Sequence, residues 1–427
     1  MSQAVDMLKR VFTLKDLRNK ILFSLAIIVI FRLLAHIPLP GVDTSGLTNF
    51  FQNNQAFGLL DLFSGGSISR FSLVMLGVGP YITASIVIQL LTVAIPALEE
   101  LQKEGEYGRQ KINQYTRYLS VPLSFIESFG LIRLLQSQGV VRNLSVAEMT
   151  LIMFVAAAAS TLLMWLGELI SERGIGNGVS LIISFGIIAG IPAQITSTAQ
   201  VLENRFIVGI EIIIAAVAMI AFIIWMSEAE RRVPISYARR VRAGRATQTI
   251  DSYLPIKANA AGVIPIIFAT SMLALPTVAA QYLQISKIEQ VKAIAQQVQA
   301  FFANDIYHGI TFFVLVFAFT FFYTSIIFQP KNIAENLQKQ GGFIPGIRPG
   351  TQTAGHLSSV IYRITFVGAF FLSIVAIFPF ILQSATHIRT LAIGGTGILI
   401  IVSVTLEFVR QVKAQLAMRS YDEIIGS

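Results

Sequence analysis

The stretch Phe206-Ile-Val-Gly-Ile-Glu-Ile-Ile-Ile-Ala-Ala-Val-Ala-Met-Ile-Ala-Phe-Ile-Ile-Trp-Met226 decides the fold. Of its 21 residues only Glu211 is ionisable. A bilayer core about 30 Å thick is crossed by about 20 mostly apolar helical residues. The segment therefore reads as a membrane span. Working outward, nine more segments of the same kind appear: Ile21–Ile37, Leu73–Ile95, Tyr118–Leu135, Thr150–Ile170, Val179–Thr198, Ala258–Ala280, Ile306–Phe328, Ile364–Leu382 and Leu391–Val409. The whole chain agrees with them. Its 427 residues are 54% hydrophobic and 13% charged, with a mean hydropathy of +0.69. A soluble domain carries about 25% charged residues.

Ten spans place both ends on one side, and Lys and Arg choose the side. With the N-terminus in the cytoplasm, 24 of the 32 Lys and Arg fall in cytoplasmic segments. Met1–Lys20 is a polar, basic arm without a cleavable signal pattern, so Ile21–Ile37 reads as a retained first span. Few residues follow Tyr421, so a long partner-binding tail is not expected. Five spans precede residue 205 and five follow it. An odd number per half suits an inverted repeat, although the halves share no clear sequence identity. The cytoplasmic loops 227–257 and 329–359 stand out by length and charge. No cysteine is present, which excludes disulfides, thiolate metal sites and a cysteine nucleophile.

One segment fits neither a span nor a plain loop. Residues 57–70, Phe-Gly-Leu-Leu-Asp-Leu-Phe-Ser-Gly-Gly-Ser-Ile-Ser-Arg, are apolar but too short to cross. Asp61 and Arg70 would each cost about 3 kcal/mol at the bilayer centre. Gly65-Gly66 breaks a helix there. Irregular backbone at membrane depth persists only inside protein or facing water. On pattern alone the segment is either an outer loop or a re-entrant element.

Six stretches carry a resemblance. They are Phe63-Ser-Gly-Gly-Ser-Ile-Ser-Arg-Phe-Ser72, Leu76-Gly-Val-Gly-Pro-Tyr-Ile-Thr-Ala-Ser-Ile-Val-Ile-Gln-Leu-Leu91 and Glu104-Gly-Glu-Tyr-Gly-Arg-Gln-Lys-Ile-Asn-Gln-Tyr-Thr-Arg-Tyr118. Further on come Met164-Trp-Leu-Gly-Glu-Leu-Ile-Ser-Glu-Arg-Gly-Ile-Gly-Asn-Gly-Val-Ser180, Leu254-Pro-Ile-Lys-Ala-Asn-Ala-Ala-Gly-Val-Ile-Pro265 and Gly342-Phe-Ile-Pro-Gly-Ile-Arg-Pro-Gly350. In order and over nearly the whole chain, they resemble the SecY family of protein-conducting channels. The resemblance implies an all-α membrane protein of ten transmembrane helices, in two pseudo-symmetric five-helix halves, 21–205 and 206–410, around a central hourglass pore. An arm (1–20) precedes the halves and a tail (411–427) follows. The implied function is translocation of unfolded secretory polypeptides and lateral release of signal sequences and transmembrane segments into lipid. SecA or the ribosome drives it, and SecE and SecG are the implied small subunits. The implied location is the cytoplasmic (inner) membrane.

The resemblance also assigns residues. A pore ring is implied at Val78, Ile82, Ile183, Ile264, Ile267 and Ile400. An apolar constriction excludes ions by dewetting, although an isoleucine in a span is ordinarily just packing. The plug is implied within 57–70, at Leu60, Asp61, Leu62, Phe63, Ser64, Gly65, Gly66 and Ser67, with the two glycines as hinge. A lateral gate between spans two and seven is implied at Thr83, Gln89 and Asn259, whose interhelical hydrogen bonds would each be worth about 0.6 kcal/mol. Docking of SecA or the ribosome is implied at Arg239, Arg240, Arg242, Arg245 and Arg348. The first four belong to a run suited to ribosomal RNA phosphate. A basic run is otherwise a solvated face or a topology signal. Pro345, Gly346, Pro349 and Gly350 hold Arg348 at a turn apex.

Other classes fit less well. A coupled transporter needs ionisable residues near the midplane, where only Arg32, Glu211 and Arg133 stand out. The histidines His36, His308, His356 and His387 lie at span ends or in loops, which disfavours an intramembrane enzyme or metal site. Gly174-Ile-Gly-Asn-Gly178 lacks the Lys-Ser/Thr of a phosphate loop and reads as a helix stop and restart. No cofactor is expected. The Gln-rich outer segment 281–305 has no functional reading.

Overall fold

The structure is a computed structural model that describes residues 13–39, 47, 61, 64–137, 139–142, 144–201, 206–237, 250–284, 288–386 and 395–425. Every expected span falls on a helix. These are α1 (Lys15–Leu34), α2 (Gly79–Ala94), α4 (Glu106–Ser137), α5 (Val146–Arg173), α6 (Gly178–Val201), α7 (Phe206–Glu228), α8 (Ile264–Leu283), α10 (Asp305–Ile327), α12 (Thr351–Thr386) and α13 (Gly395–Ile425). Three shorter helices lie outside them: α3 (Pro96–Lys103), α9 (Glu289–Ala303) and α11 (Pro330–Lys339). Among the described residues five helices are long and apolar enough to cross a membrane, or six if α2 and α3 form one bent span. That pair turns by 101° at Pro96, which lacks the N–H needed to continue the helix. The Gln-rich segment is largely α9.

Two expected boundaries move for visible backbone reasons. The second span was read from Leu73, but α2 starts at Gly79. Residues 73–78 are turns, Gly77 has φ +55°, and Pro80 occupies the first helical turn. The seventh was read from Ala258, but Gly262 at φ +65° holds 258–263 out of α8.

The two basic loops are also not plain loops, since they carry a small sheet on the otherwise helical chain. Strands β1 (Glu230–Tyr237), β2 (Ile250–Lys257) and β3 (Gly342–Phe343) form an antiparallel sheet in the order β2-β1-β3. Val233 faces Leu254 in the register, and Ser236 pairs with both Asp251 and Phe343. The sheet buries Val233, Ile235 and Ile256 with Leu337 of α11, Ile344, and Leu357 and Ile361 of α12. This core lets basic segments that would otherwise remain solvated fold.

The chain divides into two compact units: one of Met1–Gly209, Ala274–Phe301 and Gln383–Ser427, the other of Ile210–Leu273 and Phe302–Leu382. In the first, α2 packs on α4 and α5, and α6 packs on α1, α5 and α13. Gly167 and Gly178 allow α5 and α6 to approach closely, since a Cβ at Gly178 would overlap the Gly167 carbonyl. The expected stop and restart joins them. Gly174 caps α5, and Asn177 Oδ1 accepts from Ser180 N at 3.1 Å. This junction also ties distant helices. Ser24 Oγ of α1 accepts from Ile175 N at 3.4 Å, and Gln411 Oε1 of α13 accepts from Gly176 N at 2.7 Å. Leu17, Ile175 and Val412 form its buried core. In the second unit, Gly368 of α12 receives the Ala258 carbonyl, and Ser373 Oγ donates to Phe313 O of α10 at 3.2 Å.

Candidate channel elements

The segment 64–70 is a sequence of tight turns built on Asp61. Asp61 Oδ1 accepts from Ser69 N at 2.8 Å, from Ile68 N at 3.0 Å and from Ser64 Oγ at 3.4 Å. Asp61 O accepts from Gly66 N and from Ser64 Oγ, both at 2.8 Å. A single carboxylate thus replaces the ladder that this backbone lacks. Burial, the larger influence, pushes the Asp61 carboxyl above the ordinary carboxylate range, and the donors from Ser69, Ile68 and Ser64 pull it back. Gly65 and Gly66 take φ of +71° and +76°, which a side chain would resist. Leu60, Leu62 and Phe63 lie outside the described residues.

The knot leans on the first span. Arg32 Nη1 of α1 donates to Gly65 O at 3.1 Å. The Arg32 carbonyl accepts from His36 Nδ1 at 2.7 Å, and His36 Nε2 lies 2.6 Å from Arg70 Nη1. With Nδ1 donating, Nε2 accepts from the guanidinium. Arg32 and Arg70, awkward in a lipid-facing reading, are thereby both engaged with polar groups. Behind the knot, Phe71 is wholly buried and takes φ +45°, the one non-glycine positive φ among the described residues. Its carbonyl accepts from Leu39 N at 2.9 Å.

Of the implied ring, Val78, Ile82, Ile183 and Ile400 belong to the first unit, and Ile264 and Ile267 to the second. Val78 is the N-cap of α2, and its carbonyl accepts from Ile82 N at 3.1 Å, so the two occupy successive turns. Ile183 and Ile400 are buried on α6 and α13, which pack together. Ile267 is buried on α8, while Ile82 and Ile264 are half-buried. On α7, Ile212 is only 8% exposed, because that side of the helix turns toward protein, while Ile213 beside it is 65% exposed.

The gate residues form fewer interhelical bonds than expected. Thr83 Oγ1 donates to Gly79 O at 3.2 Å, and Gln89 Nε2 to Ser85 Oγ at 3.2 Å, both within α2. Asn259 sits in the turn before α8, not in the span. Gln89 Oε1 and Asn259 Oδ1 are buried without a hydrogen-bond partner among the described residues. A group missed in the sequence completes the picture on the first unit's side. Glu127 of α4 lies against Gly79 and beside Thr83 of α2. A carboxylate inside an apolar span was the signal. A second missed pair lies nearby: Arg117 Nε donates to Glu168 Oε1 at 2.7 Å, joining α4 to α5.

Arg348 is exposed on a loop whose Gly346 and Gly350 take φ of +81° and +96°, and its carbonyl accepts from Thr353 Oγ1 at 2.9 Å. Arg239, Arg240, Arg242 and Arg245 lie outside the described residues. Among the described residues no cluster of metal-binding side chains is present.

Comparison with known proteins gives this chain a family. The sequence model of SecY matches residues 72–409. The chain belongs to the SecY family. It is 40% identical over 430 residues to the protein translocase subunit SecY of Streptomyces galbus, covering 97% of this chain and 98% of that one. To the protein translocase subunit SecY of Halalkalibacterium halodurans it is 40% identical over 434 residues, covering 98% and 99%. Among solved structures, a protein-conducting channel superposes with a TM-score of 0.62 at 20% identity, over 92% of this chain and 91% of that one. Sec61 in the canine ribosome–channel complex from the endoplasmic reticulum gives the same TM-score, identity and coverage. The chain is therefore a multi-pass membrane protein and the channel subunit of a protein translocase, not an enzyme.

Proposed function

We propose that residues 57–70 are the plug of a pore formed by ten spans in two halves, 21–205 and 206–410. The observation that carries this reading is the Asp61 knot, held by Arg32 at the outer end of span one. An ordinary outer loop requires no such attachment. The apolar residues Val78, Ile82, Ile183, Ile264, Ile267 and Ile400 form the constriction and seal against ions by dewetting. Spans two and seven part to release signal sequences and transmembrane segments into lipid. Thr83, Gln89, Glu127 and Asn259 put polar groups beside that gate, where a bond across it is weak enough to break. Both termini lie in the cytoplasm, as the Lys and Arg distribution supports, and the membrane is the cytoplasmic one.

The driving force comes from outside the chain, through SecA or an elongating ribosome docked on Arg348 and the 239–245 run. SecE-type and SecG-type subunits accompany it. Sec61 occurs in a ribosome–channel complex, which supports the ribosome as a partner here. Site-specific photo-crosslinking tests the pore, using a stalled secretory chain and probes at Ile82 and Ile183, with Ile213 as the lipid-facing control. Crosslinks from the first two alone are expected. Equal labelling from Ile213, or none from Ile183, refutes the constriction.

A further inference from the structure

The plug reading leaves open what holds the plug, and one contact stands apart from the hydrogen bonds. A Cβ built on Gly65 would lie 2.8 Å from Gly186 Cα, and one built on Gly186 would lie 3.1 Å from Gly65 Cα and 3.3 Å from Gly65 N. The two glycines thus bring the plug backbone into direct contact with the backbone of α6. Gly186 is one turn beyond Ile183, so the contact sits on the ring-bearing helix and on nearly the same face. Phe31 of α1 forms the floor, its Cε1 4.0 Å from that built Cβ, and the Arg32 guanidinium closes the other side.

We propose that Gly186 is the seat of the plug and Arg32 its latch, two positioning residues that set how tightly the resting channel is sealed. This rests on residues 57–70 being the plug. Backbone-to-backbone fit is steep in distance, since close packing tolerates little added volume. A side chain at Gly186 therefore lifts the knot, stretches the Arg32 bond and unseats the plug as a unit. Gly186 is the diagnostic position because it has an ordinary helical backbone. There Ala normally favours a helix by about 1 kcal/mol. A substitution that strengthens the helix yet weakens the seal is not explained by lost stability. Gly65 lacks this property, because its positive φ alone would make Ala unfavourable.

The experiment measures resting ion conductance of the full-length chain, purified with its small subunits and reconstituted in planar bilayers. Gly186→Val is expected to raise conductance at least tenfold, and Gly186→Ala and Arg32→Met by two- to fivefold. Deletion of residues 61–70 gives the fully unplugged reference. In that background Gly186→Val is expected to change conductance by less than twofold. A parental conductance in Gly186→Val, with unchanged thermal unfolding, overturns the seat. So does an equal rise in the deleted background, which would place the effect in the ring helix itself. If Gly186→Val fails to assemble, parental conductance in both Gly186→Ala and Arg32→Met overturns the proposal. Should the deletion alone leave conductance unchanged, the plug reading fails, a separate outcome.

Discussion

Removing the Asp61 carboxylate should untie the knot, and the size of the effect follows from its contacts. In Asp61→Ala the amides of Ile68 and Ser69 lose the carboxylate that accepts from them at 3.0 and 2.8 Å, although Ile68 N keeps a longer bond to Ser64 Oγ at 3.3 Å. A buried donor left without a partner costs about 1–3 kcal/mol. Buried Ile68 recovers part of that from the Ser64 hydroxyl, and half-buried Ser69 recovers part from water. The two together come to about 2–3 kcal/mol, or about a 30- to 140-fold change in the local opening equilibrium at about 1.4 kcal/mol per decade. Amide hydrogen exchange of the peptide spanning residues 64–72, measured at neutral pH on the reconstituted complex, should accelerate by that factor at Ile68 and Ser69. Asp61→Asn behaves differently. It retains Oδ1 as an acceptor and removes the cost of burying a charge, so protection should equal or exceed the parent's. Exchange in Asp61→Ala within threefold of the parent refutes the reasoning, and so does an Asn variant as exposed as the Ala variant.

Further expectations follow from the same structure. Because burial raises the folded Asp61 carboxyl above its unfolded value, its protonation stabilises the knot. That contribution is complete below the ordinary aspartate range near about 3.9 and is lost as pH rises through the folded value. Protection at Ile68, corrected for intrinsic exchange, should therefore fall across that window in the parent and stay flat in Asp61→Asn. Arg117→Met strands Glu168, which is only 18% exposed. With Arg117 itself 42% exposed and screened, the loss should be about 1–2 kcal/mol, read by thermal unfolding in detergent. Most of it should return in the double variant with Glu168→Gln, and equal single and double losses would count against the pair. Gly368→Ala places a Cβ on the Ala258 carbonyl and should destabilise the second unit by about 1–3 kcal/mol; unchanged unfolding would show that the turn moves aside freely.

The spans were legible because lipid imposes a length and composition that few other structures need, as Phe206–Met226 shows. Segment 57–70 was legible as an anomaly, since Asp61, Gly65-Gly66 and Arg70 suit neither lipid nor a plain loop. What holds it was not. Arg32 and Gly65 lie 33 positions apart, and the meeting of Gly65 with Gly186 depends on how two helices stand, which periodicity does not encode. The sheet was hidden for another reason. Glu230-Arg-Arg-Val-Pro-Ile-Ser-Tyr237 reads as charge, and its buried face emerges only when Leu337, Leu357 and Ile361 arrive from over 100 residues downstream. Glu127 was overlooked beside more conspicuous charges. Asn259 was placed in a helix because Gly262 was not given its weight as a break.

The junction at 174–178 has a mechanical meaning. An amide there is held by Gln411, and its apolar core by Leu17 and Val412, so the N-terminal ends of α1 and α6 are spliced to the middle of α13 at one point. A helix is stiff along its axis, and Ile183 lies five residues beyond the start of α6, roughly 8 Å along it. Torque applied to the α13 extension is consequently delivered to the base of α6, like a crank turning a shaft. The glycine-rich loop at 174–178 thus serves as a splice among three helices.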